Sequence, residues 1–195
     1  MRALLGMVAL GLLTLAGCAA QRTPATPDDA AGLLAAGCRA EAAQTWRPLG
    51  TGDPFTINAV ARGPTCPQAT VILTIRNPQG DVVWTDSHAA AQVMTLAYRH
   101  ENATALAAAM AEWIDPNTTN LKLTRDLPDW PEGAEAPMAG EFPFYPETFV
   151  DRTEYLRLRN TLFPIYCYVQ GMESIACLAL EHGRLTKIGV QTFPG

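Results

Sequence analysis

The sequence predicts an α+β fold: small antiparallel sheets with a C-terminal three-stranded meander, one packed amphipathic helix and a long Pro-rich irregular arm. Three observations carry this expectation. Apolar residues alternate along Phe55, Ile57, Ala59 and Ala61 and again along Ala69, Val71, Leu73 and Ile75, the period of half-buried strands. Leu106, Ala109, Met110, Trp113 and Ile114 recur at spacings of three and four, the period of one helix face. Residues 115–150 hold Pro116, Pro128, Pro131, Pro137, Pro143 and Pro146, which forbid long regular structure. A chain of 195 residues suits one domain with tails rather than two.

At the N-terminus, Met1 and Arg2 precede residues 3–17, which carry no charge, and small residues then surround Cys18. This is the layout of a secretory signal, and the apolar run falls short of the about 20 residues that a membrane span needs. The stretch Leu15, Ala16, Gly17, Cys18 resembles the lipobox of bacterial lipoproteins, a likeness confined to the first 18 residues. It implies a signal peptide over 1–17, removed before Cys18, a lipidated tether over 18–26, and diacylglycerol on the Cys18 thiol with a further acyl chain such as palmitate on the new amino group. That covalent lipid on Cys18 is the only cofactor expected. Two or more buried chains, at about 0.8 kcal/mol per CH₂, hold a protein stably on a membrane. Ala19, in place of the aspartate that retains many such proteins at the inner membrane, implies the outer membrane, facing the periplasm.

A single disulfide-stapled domain is expected over residues 27–195. Thr26, Pro27, Asp28 and Asp29 form a helix start, since Thr caps, Pro suits the first turn and acids favour the positive end of the dipole. The helix runs over 27–36 and stops at Gly37; whether RAEAAQTW continues it after Cys38 is left open. After the two alternating runs, Asn77, Pro78, Gln79 and Gly80 make a tight turn into the strand DVVWT, completing a hairpin. Residues 87–100 suit strand or helix. Asn102 caps the amphipathic helix, and Asp115 with Pro116 ends it. The arm at 115–150 is expected to wrap the domain surface, since it also carries Trp130, Phe142, Phe144, Tyr145 and Phe149. Asp151 and Glu154 offer a capping box to a segment whose Tyr155, Leu158 and Leu162 suit a helix, although its local alternation also suits a strand.

With Cys18 assigned to lipid, Cys38, Cys66, Cys167 and Cys177 remain, an even number in an exported chain. Residues 164–193 read as three strands with turns near Gly171 and at His182 and Gly183. Setting Cys167 opposite Cys177 places Ile165 opposite Ala179 and Val169 opposite Ile175, making one face apolar. A two-residue turn at His182 and Gly183 then sets Thr186 opposite Ala179, Ile188 opposite Cys177 and Val190 opposite Ile175, continuing that face. A slip of one residue would turn every side chain over. Cys38 is left to pair with Cys66, a bridge worth about 3 to 4 kcal/mol by loop entropy. The short Cys and His spacings of zinc sites are absent from the sequence.

The formal charge of −5 is of the wrong sign for nucleic-acid binding. His88, His100 and His182 share no helical spacing, and His182 reads as a turn residue. Ser87 and Ser174 lie in no nucleophile motif. Asp126, Asp129, Glu132, Glu135, Glu141 and Glu147 read as solvated loop acids rather than a glycosidase pair. The cluster Phe142, Phe144, Tyr145 and Phe149 is the candidate binding patch, with stapling of the arm to the core as its rival role and Trp130 as a candidate stacking surface.

The expected function is a lipid-anchored lipoprotein of the bacterial cell envelope, a non-catalytic binding or assembly module with an envelope protein or cell-wall partner. Two alternatives stand beside it: a periplasmic hydrolase whose acids or His88 and His100 meet only in the fold, and an inhibitor of a cell-wall lytic enzyme. Mass spectrometry of the first peptide of cell-derived protein should find a lipidated Cys18 at the N-terminus; unmodified Cys18 still joined to Gly17 would overturn the anchor.

Overall fold

The computed structural model describes residues 37–193. The signal peptide, Cys18 with its tether, and the helix expected over 27–36 lie outside the described residues.

The first sheet joins β1 (Cys38–Trp46), β2 (Phe55–Gly63), β3 (Thr70–Arg76) and β4 (Val82–Ala89) in chain order, all antiparallel. RAEAAQTW is therefore strand. Its Ala, Glu and Gln favour helix, yet Cys38, Ala40 and Trp46 fall on one pleat face and are buried, and pairing along the whole of β2 overrides propensity. Cys38 is bonded to Cys66, which fixes the start of β1, while Trp46 packs on Phe55 at 5.5 Å between ring centroids and fixes its end. Across β2 and β3 the alternating Phe55, Ile57, Ala59, Ala61, Val71, Leu73 and Ile75 are all buried on one face. Asn77 Oδ1 accepts from the backbone N–H of Gln79 and Asp81, and Gly80 takes φ of 90°, closing the hairpin turn.

Residues 87–100 divide: β4 ends at Ala89, a 3₁₀ turn covers Ala90–Gln92, and a one-turn helix α1 spans Met94–Ala97. Helix α2 (Ala103–Trp113) begins where Asn102 Oδ1 accepts from Ala105 N–H at 2.9 Å. It lies over β1, where Ala40 and Ala42 leave room for a close approach, and buries Leu106, Ala109, Met110 and Trp113.

The second sheet runs β5 (Met138–Ala139), β6 (Phe142–Pro146), β9 (Arg184–Thr192), β8 (Ser174–Glu181) and β7 (Ile165–Val169). Strands β7 to β9 are the C-terminal meander. Cys167 faces Cys177 and is bonded to it, Ile165 faces Ala179, and Val169 faces Ile175. His182 and Gly183 turn the chain with φ of 50° and 78°, and Thr186 faces Ala179.

Beyond that point the expected register fails. Gly189, not Ile188, faces Cys177, and Gln191, not Val190, faces Ile175. A bulge inserts Ile188 as an extra residue, so two residues oppose one. The cause is visible at Gly189. A Cβ there would lie 2.4 Å from Phe144 Cε1 and 2.6 Å from the Tyr145 carbonyl oxygen, so the Phe144 ring occupies the space of the missing side chain, and the bulge keeps Ile188 buried beside it.

The meander has two apolar faces rather than one. Tyr166, Tyr168, Ala176, Leu178 and Leu180 pack toward the first sheet and α2. Ile165, Cys167, Cys177, Ala179 and Ile188 pack toward Leu127, Phe144, Val150, Tyr155 and Leu158. The last two belong to α3 (Arg152–Thr161), a helix whose first turn is capped by Asp151 Oδ1 accepting from Glu154 N–H. Strand-like alternation in this segment yields to the cap and to burial of Tyr155 and Leu158 on one face.

The arm wraps this outer layer. Thr124 is buried in the 3₁₀ turn Thr124–Asp126, donating to the Leu158 carbonyl and accepting from Phe163 N–H at 2.9 Å. Tyr155 donates to the Pro128 carbonyl at 2.7 Å. The arm also forms the short β5–β6 hairpin, turning at Gly140 with φ of 60°; its prolines sit at the sheet margin, where a missing N–H is tolerated.

Gly189→Ala should overpack the contact with Phe144 and lower stability by about 1 to 3 kcal/mol, read as a shift in the urea midpoint. An unchanged midpoint would show that the close approach is not what demands glycine.

Candidate functional site

The pleat of β6 separates Phe144 from Tyr145, while Phe142 lies at the start of the strand and Phe149 beyond its end. Phe144 is 0% exposed in the outer core, whereas Phe142, Tyr145 and Phe149 are 39%, 52% and 61% exposed. The Phe144 ring meets Tyr155 at 5.9 Å between centroids, so it staples the arm. Tyr145 faces Val190, and Met138 faces Pro143, placing an apolar strip along one face of the sheet margin. Phe142 lies beside the hairpin turn, and Phe149 precedes the cap of α3. Both candidate roles are therefore present in one stretch: Phe144 binds the core, and its neighbours are left outward on a held backbone. Glu147 and Lys187 nearby are paired at 3.0 Å, and the exposed Glu141 directly precedes Phe142.

A second cluster sits where the layers meet. Trp84, Asp86 and His88 project from one face of β4, Trp113 from α2 and Tyr168 from β7. Tyr168 donates to Asp86 Oδ2 at 2.6 Å and accepts from Trp84 Nε1 at 3.3 Å. His88 Nε2 lies 3.0 Å from the same Asp86 oxygen without the alignment of a hydrogen bond, so the contact is one of proximity. Trp113 Nε1 donates to the Val169 carbonyl at 2.6 Å. The edges and faces of His88, Trp113 and Tyr168 enclose one another at 5.7 to 6.1 Å. Burial, and then the hydrogen bond to Asp86, push the Tyr168 hydroxyl well above the ordinary phenol range, so it is a neutral donor. Sequence reasoning missed this group, although the alternation Trp84, Asp86, His88 was a readable sign that all three share a strand face.

Several of the remaining candidates are taken up by the fold, while Glu132, Glu135 and Glu141 are exposed. Asp126 accepts from the N–H groups of Lys122 and Leu123, Asp129 pairs with Arg159, and Glu147 with Lys187. Trp130 donates to the Ala134 carbonyl and packs edge-on to Tyr155 at 5.4 Å, which occupies it as an internal contact. His182 is an exposed turn residue beside Glu181. His100 joins none of the hydrogen bonds or ring contacts of His88. Among the described residues no three His, Cys, Asp or Glu side chains gather as a metal-binding group. A cavity of about 380 Å³ opens beside Trp46, Leu49, Pro116, Asn117 and the cations Arg47 and Lys122; none of its lining residues is an acid, and Lys122 Nζ donates to the Pro116 carbonyl at 2.7 Å.

Tyr168→Phe should leave Asp86 and Trp84 short of a partner at the layer junction and cost about 1 to 2 kcal/mol. Urea unfolding checks it, and an unaltered midpoint would remove the network from the forces joining the layers. Compared with known proteins, the chain matches no protein-family model, no curated protein and no solved structure.

Proposed function

We propose that the chain is a lipid-anchored lipoprotein of the bacterial cell envelope, held through Cys18 at the outer membrane and facing the periplasm, where it acts as a non-catalytic binding module. The anchor rests on Leu15, Ala16, Gly17 and Cys18 with the apolar run before them. Two buried disulfides accord with an oxidising compartment.

One observation carries the binding role: the arm buries Phe144 and leaves Phe142 and Tyr145 of β6, and Phe149 just beyond it, outward. A strap needs the first residue and gains nothing from three exposed aromatics beside it. The backbone of Phe142 and Tyr145 is already held in a paired strand, so it has little freedom left to lose on binding, which favours association. The partner is an envelope protein that covers the β5–β6 margin with an apolar surface of its own. A non-catalytic reading is supported by Asp126, Asp129 and Glu147, which are engaged as caps and ion-pair partners, and by the exposure of Glu132, Glu135 and Glu141.

Chemical cross-linking followed by capture from detergent extract should recover a partner with the parent chain. The triple variant Phe142→Ser, Tyr145→Ser, Phe149→Ser, which spares Phe144, should lose it while keeping the parent's thermal transition. Monomeric elution of the parent with nothing captured would overturn the binding role.

A further inference from the structure

We propose that the pole of the domain carrying Met94, Tyr98 and Met172 rests on the lipid surface to which Cys18 is anchored; the proposal rests on the anchor and is independent of the β5–β6 margin. The three side chains are exposed, Tyr98 to 79%. Met94 opens α1 and Tyr98 directly follows its last residue, with Val93 and Leu96 buried between them and the core. Met172 follows Gly171, whose carbonyl accepts from Met94 N–H at 3.1 Å, so the turn between β7 and β8 lies against α1.

This pole is also where the described chain begins. Gly37 sits so close to the Pro64 carbonyl that a Cβ would meet its oxygen at 2.1 Å. Cys38 is bonded to Cys66, the Cys66 carbonyl accepts from Ala69 N–H, and the Ala69 carbonyl accepts from Ala90 N–H at 2.9 Å. Ala90 opens the 3₁₀ turn that leads to Met94. A continuous set of contacts thus ties the point where the tether enters to the apolar patch. Residues 19–36 join Cys18 to Gly37, so the chain from the lipid anchor enters the domain at the same pole as the patch.

The chemistry suits an interface. Tyrosine concentrates at the headgroup level of membranes, where its ring is apolar on one side and its hydroxyl wet, and methionine adapts to an irregular surface. Neighbouring Arg99 is paired with Glu112, while the exposed Glu101 and Glu173 border the patch, so its affinity for lipid rests on apolar contact and not on charge attraction. At the opposite pole the β3–β4 turn presents Asn77, Gln79 and Asp81, with Asn77 and Asp81 hydrogen-bonded to each other; Leu49 and Val82 are exposed at that end too, so the point where the tether enters is what separates the two poles.

The test uses the chain from Cys18 onward, coupled through that thiol to a lipid in phosphatidylethanolamine–phosphatidylglycerol vesicles with brominated acyl chains. Tyr98→Trp and Met172→Trp are each compared with Gln79→Trp; the four native tryptophans give the same background in all three. The emission added at 98 and 172 should be quenched by the brominated lipid, and that added at 79 should not. Equal quenching at both poles, or none at 98 and 172, would overturn the proposal while leaving the anchor standing. Cell-derived protein with unmodified Cys18 would overturn the anchor and the proposal with it.

Discussion

Strand β8 is the constraint on which the other elements depend. From Ala176 to Leu180 every residue is buried, so both faces of an antiparallel strand are shut off from water, a condition more usual in parallel sheets covered by helices. Left with one cover, the meander would expose either Leu178, Leu180 and its tyrosines or Ile165, Ala179 and Ile188. The first sheet with α2 answers one face, and α3 with the proline-rich arm answers the other. The arm is therefore a wall of the outer core, and its irregular backbone is held by Thr124, Tyr155 and Phe144 rather than by long ladders of its own.

What could be read from the sequence was whatever short-range chemistry decides. The alternation of β2 and β3, the turn at Asn77–Gly80, the cap at Asn102 and the pairing of Cys167 with Cys177 all depend on residues near one another in the chain. β1 was not legible because Ala and Glu carry helix propensity, while the deciding partner, β2, acts through tertiary pairing. The bulge at Ile188 was invisible for a similar reason: it answers to Phe144, a residue of the arm. The second apolar face of β8 was written in the sequence as an unbroken run, but a run without period cannot say which elements will cover it.

The polar cluster shows the same limit at the scale of function. Tyr168 and Asp86 are 82 residues apart, and only the stacking of the second sheet on β4 unites them. Their geometry joins two layers by directional bonds, where apolar packing alone would permit sliding. By contrast the aromatic run at 142–149 was visible at once, and what the fold added was its division. One pleat assigns Phe144 to the interior and Tyr145 to the outside, so anchoring the strand and presenting a surface are a single event.

The buried pair Cys167 and Cys177 has a consequence for the order in which this protein matures. Thiol–disulfide exchange requires an attacking thiolate to reach a sulfur, and both of these lie beneath α3 and the arm. Once that wall is in place, oxidases and isomerases are barred from the bond. Any correction of a wrong pairing has to happen while the arm is still open, and closure of the arm then acts as a lock that makes the chosen connectivity permanent in whatever redox conditions the folded protein later meets.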